Sequence, residues 1–308
     1  MITPSYLKRG DKIAIVAPAR KISNFEIANA VKTFKNWGLE VVLGKNLYKS
    51  YNQFAGNDEE RKSDFQQMLD DPTIKAIIAA RGGYGSVRII DKLDFLKFIK
   101  TPKWIIGYSD ITVFHSHINT NFEIESLHAI MPINFSDEEK SKVSAESLRK
   151  TLFGEKIFYS INNSKYNRKG VTKGVLCGGN LSMIYSLIGS QSDINTDGKI
   201  LFIEDLDEYL YHIDRIMMNL KRSGKLDNLA GLIIGGMSDM NDNKIPFGKT
   251  AIEIISEHVS EYNYPVCFNF PAGHRKKNYA LILGREATLE VNRKVNLVFK
   301  SKTINLKS

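Results

Sequence analysis

The chain has 308 residues, a length that suits two domains, each with a hydrophobic core of its own. Its hydrophobic content of 43% and charged content of 25% are ordinary for a globular protein. Forty-three basic residues against 34 acidic residues give a formal charge of +9, but the basic residues are spread along the chain without interleaved aromatic residues. We therefore expect no nucleic-acid partner, while the positive field would favour an anionic small substrate.

Cysteine usage and hydropathy indicate the compartment. Cys177 and Cys267 are too few for a disulfide framework or a metal site, which favours free thiols in a reducing compartment. The apolar run 13–19 follows charged residues and is too short for a signal peptide, so it is typical of a first strand. Since no apolar run approaches the length of a membrane span, we expect a cytoplasmic protein without a membrane partner. Secretion without a classical signal stays open.

Apolar strands alternate with amphipathic helices in the first half of the chain. The predicted strands are 12–17, 39–43, 74–80 and 104–106, and helices begin near Ser23 or Asn24, near Asn57 or Asp58, and at Asp110. This alternation predicts an α/β domain with a mostly parallel sheet sandwiched by helices. We expect the domain to cover residues 1–153, ending in the charged helical segment 136–153. Ligands of such sheets bind at the carboxyl ends of the strands.

Ser109 lies at one of these strand ends. It follows the apolar run 104–106 and Gly107, and it precedes a segment with helical spacing of apolar residues. A serine there can expose its hydroxyl beside backbone N–H groups that receive an oxyanion. The alternative is that Ser109 or Asp110 caps the helix, because Ile111 stands where the G-x-S-x-G motif has glycine.

A glycine-rich loop follows the strand 74–80. Its sequence, Arg81-Gly82-Gly83-Tyr84-Gly85-Ser86, lets the backbone turn tightly and brings N–H groups close to a ligand. The spacing matches neither a P-loop nor the dinucleotide-binding fingerprint. An ordinary strand-to-helix turn is the alternative interpretation. Next to a nucleophilic Ser109, the loop would supply further oxyanion donors.

Three histidines follow Ser109. His115 and His117 are two positions apart on the predicted helix, so they point to different faces and form no ligand pair. We expect both on the helix surface or partly buried. His128 follows the short predicted strand 124–127, and at this strand end it is a candidate to line the cleft.

The second half of the chain predicts a mixed α/β domain. Residues 154–173 are polar and lack periodicity, which indicates a linker, and residues 174–308 would form the smaller domain. Apolar strands at 199–203 and 229–235 and helices at 211–224 and 251–262 precede an alternating tail, 280–300. Such alternation is typical of antiparallel strands.

Glu204 and His274 share the position of Ser109, since each comes where an apolar strand stops. Glu204 could instead be an acid at a helix amino terminus, with Asp205, Asp207 and Glu208 competing for any role, and His274 could be an exposed loop residue. Taken together, the three residues supply a nucleophile, an orienting acid and a base in the order Ser, acid, His.

Six motifs in one order resemble a known family, the LD-carboxypeptidases, which are serine peptidases and include the microcin C immunity peptidases. The motifs are Gly10 to Pro18, Ala80 to Gly85, Gly107 to Asp110, Gly178 to Leu181, Ile203 to Asp205, and Gly273-His274. The chain departs from the family's common His-Gly-Pro-Met with His128-Ala129-Ile130-Met131, a change that bears on substrate preference.

The resemblance implies roles for the residues above. Ser109 would be the nucleophile, His274 the base and Glu204 the acid that orients it. The backbone N–H groups of Asp110 and Gly83 would form the oxyanion hole. The implied fold is an α/β sandwich with a smaller, partly β domain, and family members tend to form homodimers.

The implied reaction is hydrolysis of the amide between an L-centre of a diamino acid and a terminal D-alanine in muropeptide tetrapeptides. Arg81, or the backbone near Gly82, is the sequence-based candidate to hold the terminal carboxylate. We expect no metal or cofactor, because the chain lacks clustered His and Cys. The alternatives are a same-family peptidase acting on aminoacyl-nucleotide antibiotics, a hydrolase of the α/β-hydrolase type, and a protein that binds a peptide or nucleotide without turnover.

Overall fold

Two mixed β-sheets with helices packed against them form the chain, and a computed structural model describes residues 1–136 and 138–301. The strands of the first half are β1 (Lys12–Val16), β2 (Glu40–Leu43), β3 (Ile74–Ala79), β4 (Trp104–Gly107) and β5 (Ser126–His128). The helices are α1 (Asn24–Asn36), α2 (Asp58–Asp70), α3 (Leu96–Lys100), α4 (Thr112–Phe122) and α5 (Glu139–Leu152).

The second half is richer in strands. They are β6 (Phe158–Asn162), β7 (Gly170–Asn180), β8 (Ile200–Leu206), β9 (Gly231–Ser238), β10 (Val266–Cys267), β11 (Leu281–Leu283), β12 (Glu286–Val291) and β13 (Lys294–Phe299). The helices are α6 (Leu181–Leu187), α7 (Leu210–Arg222) and α8 (Ala251–His258).

Local sequence explains where the principal helices begin. Ser23 and Asn57 cap α1 and α2, and Thr250 caps α8. In each case a glutamate three residues later closes a capping box. The helix predicted to begin at Asp110 starts as a 3-10 turn, Ser109–Ile111, before α4.

The first sheet has the order β11-β5-β4-β3-β1-β2. Neighbours from β5 to β2 are parallel, and β11 pairs antiparallel with β5, Leu281 opposite His128. The predicted parallel sheet is therefore confirmed, with an edge strand contributed from near the end of the chain. This places the carboxyl ends of β3 and β4, and the loops after them, side by side.

The second sheet has the order β10-β9-β8-β7-β12-β13-β6. Its β10-β9-β8-β7 part is parallel and the remainder antiparallel, so the predicted mixture is confirmed. Strand β6 and the start of β7 lie inside the segment 154–173 that the sequence indicated as a linker. The division of the chain into two domains at that segment stays a prediction.

One hydrophobic core joins the two sheets. Leu127 on β5 and Leu283 on β11 belong to the same buried cluster as Leu176 on β7 and Phe202 on β8. Next to this cluster, Arg285, which follows β11, places its guanidinium on the buried carboxylate of Glu125, with Nε 3.2 Å from Oε1. The Arg285 side chain is 4% exposed, so the pair is shielded from water.

The described chain contains no helix long and apolar enough to cross a membrane.

Replacing Arg285 by Met should lower the free energy of unfolding by about 3 kcal/mol, because it removes the cation that compensates a buried carboxylate. Equilibrium urea denaturation measures the change. Arg293→Met is the matched control, since Arg293 is exposed, and it should change stability by less than about 0.5 kcal/mol. Equal stabilities of the two variants would contradict a structural role for the buried pair.

Candidate active site

Ser109 has a backbone conformation that few non-glycine residues adopt. Its φ is +64°, in the left-handed region, directly after β4 and at the first position of the 3-10 turn. Such a conformation costs about 1–3 kcal/mol and persists where the surrounding structure enforces it. The sharp strand-to-helix turn leaves the Ser109 side chain partly exposed rather than buried. A strained, accessible serine at a strand end is typical of a nucleophile.

The glycine-rich loop packs directly against this serine. A methyl group added to Gly82 would lie 2.9 Å from Ser109 Cβ and 3.1 Å from its Oγ. The Asp110 carboxylate holds the same loop, because its Oδ2 accepts the N–H of Ser86 at 2.9 Å. Burial raises the pKa of Asp110 despite these contacts with Ser86. The N–H of Asp110 lies in the first helical turn, where backbone donors have no intrahelical partner.

Glu204 and His274 meet although they are far apart in the sequence. Glu204 lies near the end of β8 and is fully buried, and its Oε2 is 2.7 Å from His274 Nδ1. The same oxygen accepts the backbone N–H of His274 at 3.0 Å. Two hydrogen bonds to one carboxylate oxygen fix both the loop and the imidazole ring. Because Nδ1 is engaged, Nε2 is the ring nitrogen left to accept a proton.

The electrostatics of His274 follow from this pair. Burial disfavours the imidazolium, but the charge and hydrogen bond of Glu204, helped by Asp205, outweigh it and raise the pKa of His274 above its usual value of 6.5. The imidazole is thus a stronger base than an ordinary histidine side chain.

A ring contact places His274 next to the turn that carries Ser109. The ring of Tyr108, which precedes Ser109, lies 4.8 Å from the His274 ring, edge to face. A second bridge joins the two halves of the chain, because Thr112 Oγ1 accepts the N–H of Asn180 at 2.9 Å. In the described part of the chain the imidazole hydrogen-bonds to Glu204 and not to the Ser109 hydroxyl. Catalytic contacts of this kind often tighten only when substrate binds.

Arg81 and Gly83, which the sequence proposed for substrate and oxyanion contacts, each lie against another side chain, and both roles stay predictions. Arg81 points to the loop before α1, with its guanidinium 3.7 Å from Glu26 and 3.4 Å from the Lys21 carbonyl. Gly83 has φ of +118° and abuts the side chain of Arg20. Its N–H stays a predicted oxyanion donor.

Sequence reasoning missed a buried arginine that assembles the site. Arg61 on α2 donates to the carbonyl oxygens of Pro18 and Gly85, at 3.0 Å for Gly85, and so joins the loops after β1 and β3. Its position four residues before the core residue Phe65 puts it on the inward face of α2. The sequence did contain a signal for this role, since Arg61 is a charged residue on the apolar face of the predicted helix.

Asp205 anchors a network beside Glu204. Its Oδ1 accepts the Asn180 side-chain amide at 2.8 Å, and its Oδ2 accepts the Ser182 N–H at 2.9 Å. Burial, with the charge of Glu204, raises the pKa of Asp205 to about 6. Asp205 therefore ties the end of β8 to the turn between β7 and α6 and does not compete for His274.

The histidines of the first half lie in the interior. His115 and His117 are buried, 0% and 6% exposed, so the expectation of surface or partly buried positions is wrong. Other residues cover α4 on nearly all sides. The apolar spacing in this short helix did not predict that its polar positions are buried as well. His128 is fully buried between Tyr108 and Phe202, behind the site rather than lining it.

This arrangement fits a class of protein, the serine-type hydrolases. Ser109 as the nucleophile, Glu204 as the acid and His274 as the base stay predictions. Within the described residues no group of three or more His, Cys, Asp or Glu side chains is arranged to hold a metal ion.

Family comparison identifies the class further. Residues 13–129 match the LD-carboxypeptidase N-terminal domain, and residues 173–289 match the LD-carboxypeptidase C-terminal domain. A probable murein peptide carboxypeptidase of Bacillus subtilis is 32% identical over 96% of this chain and 93% of its own. The chain belongs to the LD-carboxypeptidase family, which confirms the resemblance found in the sequence.

Further relatives agree in sequence and fold. The murein tetrapeptide carboxypeptidase of Pseudomonas aeruginosa is 26% identical over 92% of this chain and 94% of its own. The crystal structure of muramoyltetrapeptide carboxypeptidase from Oxalobacter formigenes superposes with a TM-score of 0.86, at 29% identity, covering 95% of this chain and all of that one. The microcin C7 self-immunity protein MccF, in complex with aspartyl sulfamoyl adenosine, has a TM-score of 0.88 at 21% identity, covering 97% of this chain and 99% of that one, and so shares the fold.

Replacing Gly82 by Ala should slow labelling of Ser109 by a fluorophosphonate at least about 100-fold, because the added methyl group would crowd Cβ and Oγ of the serine. Mass spectrometry of the labelled protein measures the rate. Ser63→Ala is the control, since Ser63 is an exposed residue of α2 whose replacement should leave the labelling rate unchanged. Labelling of both variants at the wild-type rate would contradict the placement of this loop.

Replacing Glu204 by Gln should bring the pKa of His274 from above 6.5 to below it, because burial persists while the attraction to the carboxylate is lost. Proton–carbon NMR titration of the His274 Cε1–H signal, assigned by its loss in His274→Asn, measures the shift. Glu40→Gln, at an exposed glutamate, should leave the titration unchanged. An unaltered pKa in Glu204→Gln would refute the coupling.

Proposed function

We propose that this protein is a serine carboxypeptidase that hydrolyses the amide bond between an L-centre diamino acid and a terminal D-alanine in muropeptide tetrapeptides. The observation that carries the proposal is the Glu204–His274 pair, 2.7 Å apart, whose imidazole ring lies 4.8 Å from the ring of Tyr108, the residue before the strained Ser109. The names of the murein peptide carboxypeptidases among its relatives support the substrate class.

The mechanism begins with proton transfer. His274 Nε2 takes the proton of the Ser109 hydroxyl as the oxygen attacks the amide carbonyl, and Glu204 holds the imidazole tautomer and stabilises its charged form. The tetrahedral intermediate then collapses, and His274 gives its proton to the amine of D-alanine, which leaves. Water, deprotonated by His274, hydrolyses the acyl-enzyme. Because His274 acts as a base only when neutral, the rate should fall as pH drops through its raised pKa.

Backbone donors would stabilise the oxyanion. The N–H of Asp110 lies next to Ser109 in the first helical turn, and the N–H of Gly83 lies in the loop that packs on the serine. Each such donor is worth about 3 kcal/mol of transition-state stabilisation. The Asp110–Ser86 hydrogen bond supports the arrangement by fixing the loop against the helix.

A second candidate function is cleavage of aminoacyl-nucleotide antibiotics by the same residues. The fold shared with the microcin C7 self-immunity protein supports this second function. The sequence relatives named for murein peptides favour the muropeptide carboxypeptidase function. We also propose that the enzyme is cytoplasmic and homodimeric, and light scattering after size exclusion measures the second property.

Purified protein should release D-alanine from free tetrapeptide, and Ser109→Ala should reduce the rate by about 10⁴-fold or more because the nucleophile is gone. Coupled D-amino-acid oxidase assays measure the product. Ser63→Ala is the matched control, since Ser63 is exposed on α2, and it should retain the wild-type rate. Turnover of an aminoacyl-adenylate analogue alone would favour the second candidate. Binding without turnover would refute both.

A further inference from the structure

A basic pocket borders His274. It has a volume of about 730 Å³, and four cations and one carboxylate are among the side chains that line it. The charged lining residues are Lys140, Arg275, Lys276, Lys277 and Asp239. Three of the cations follow His274 directly in the sequence, so the loop that positions the imidazole also carries the positive charge.

These four cations lack ion-pair partners among the residues that the structure describes. In residues 1–136 and 138–301 none of them forms an ion pair, whereas Arg81, Arg88 and Lys225 each do. Arg275 donates to the Asn269 carbonyl at 3.2 Å, and Lys277 lies 4.7 Å from the Tyr279 ring. Neither contact removes charge. The pocket therefore keeps a surplus of positive charge that an anion can compensate.

The mechanism indicates which anion this would be. His274 delivers its proton to the nitrogen of the leaving amino acid, so this residue must lie on the His274 side of Ser109. In a terminal amino acid the carboxylate is bonded to the same carbon as that nitrogen. It must therefore lie within a few ångströms of the imidazole, and His274 is one of the residues that line the basic pocket. Arg81, the sequence-based candidate, is engaged with Glu26 in the first turn of α1.

We propose that the basic pocket beside His274, through Arg275 and Lys276, binds the carboxylate of the terminal D-alanine and so restricts the enzyme to chain ends. This inference rests on the proposed carboxypeptidase function. An aminoacyl nucleotide carries a phosphate on the same leaving side, so the shared chemistry is an anion on the leaving group. Guanidinium and ammonium groups bind both kinds of anion.

The test compares two substrates, the free tetrapeptide and the same peptide ending in D-alaninamide, with wild type and Arg275→Gln/Lys276→Gln. Wild type should prefer the free acid by about tenfold or more in kcat/KM, mostly through KM, because the pocket contributes binding energy. The double variant should reduce this preference to below about threefold while kcat on the acid changes little. An aminoacyl phosphoramidate of adenosine is the third substrate. If the double variant slows the cleavage of this substrate only, the pocket binds phosphate and the carboxylate assignment is overturned.

Arg293→Gln/Lys294→Gln is the matched control, an adjacent exposed Arg–Lys pair outside the pocket, and it should keep the wild-type preference. A double variant at Arg275 and Lys276 that keeps this preference, or a wild type that hydrolyses acid and amide equally, would overturn the inference while leaving the carboxypeptidase function intact. Failure of wild type to release D-alanine from either peptide would instead overturn the proposed function.

Discussion

The hydrogen bond between Glu204 and His274 is the constraint on which the site depends. It exists because the loop before His274 passes very close to β8, and this approach requires glycine. A methyl group on Gly273, whose φ is +92°, would lie 2.4 Å from Glu204 Oε2, and one on Gly235 would lie 2.6 Å from the Ala272 carbonyl oxygen. The Gly273-His274 motif is therefore a steric requirement of the acid–base pair, and the flexibility of glycine is secondary.

This pair is costly in the fold. Glu204 is fully buried, and within the described chain its Oε1 has no hydrogen-bond partner. A second carboxylate, Asp205, is adjacent and also buried, and burial together with Glu204 raises its pKa to about 6. A buried carboxylate left without partners would cost several kcal/mol, and the two hydrogen bonds that Glu204 accepts from His274 offset this cost. The same interaction that makes the buried acid tolerable makes the histidine a stronger base.

Ser109, the proposed nucleophile, is held by a different set of contacts. The left-handed backbone of Ser109 is enforced by β4 before it and by α4 after it. The Asp110–Ser86 bond and the buried Arg61 fix the neighbouring loops. The Thr112–Asn180 hydrogen bond and the shared hydrophobic core then relate this assembly to the half that carries Glu204 and His274. The proposed mechanism takes residues from both halves, so it depends on the packing between them.

The sequence by itself determined the elements with strong local periodicity and the strand ends where Ser109, Glu204 and His274 lie, because apolar spacing, caps and turn residues act over a few positions. The six motifs, found in one order along the chain, also indicated the family. Only the tertiary structure decided that β11 completes the first sheet, that β6 occupies the expected linker, that His115 and His117 are buried, and that four cations gather beside His274. These features depend on contacts between distant residues, such as Leu281 with His128, and local patterns carry no record of which distant surfaces meet.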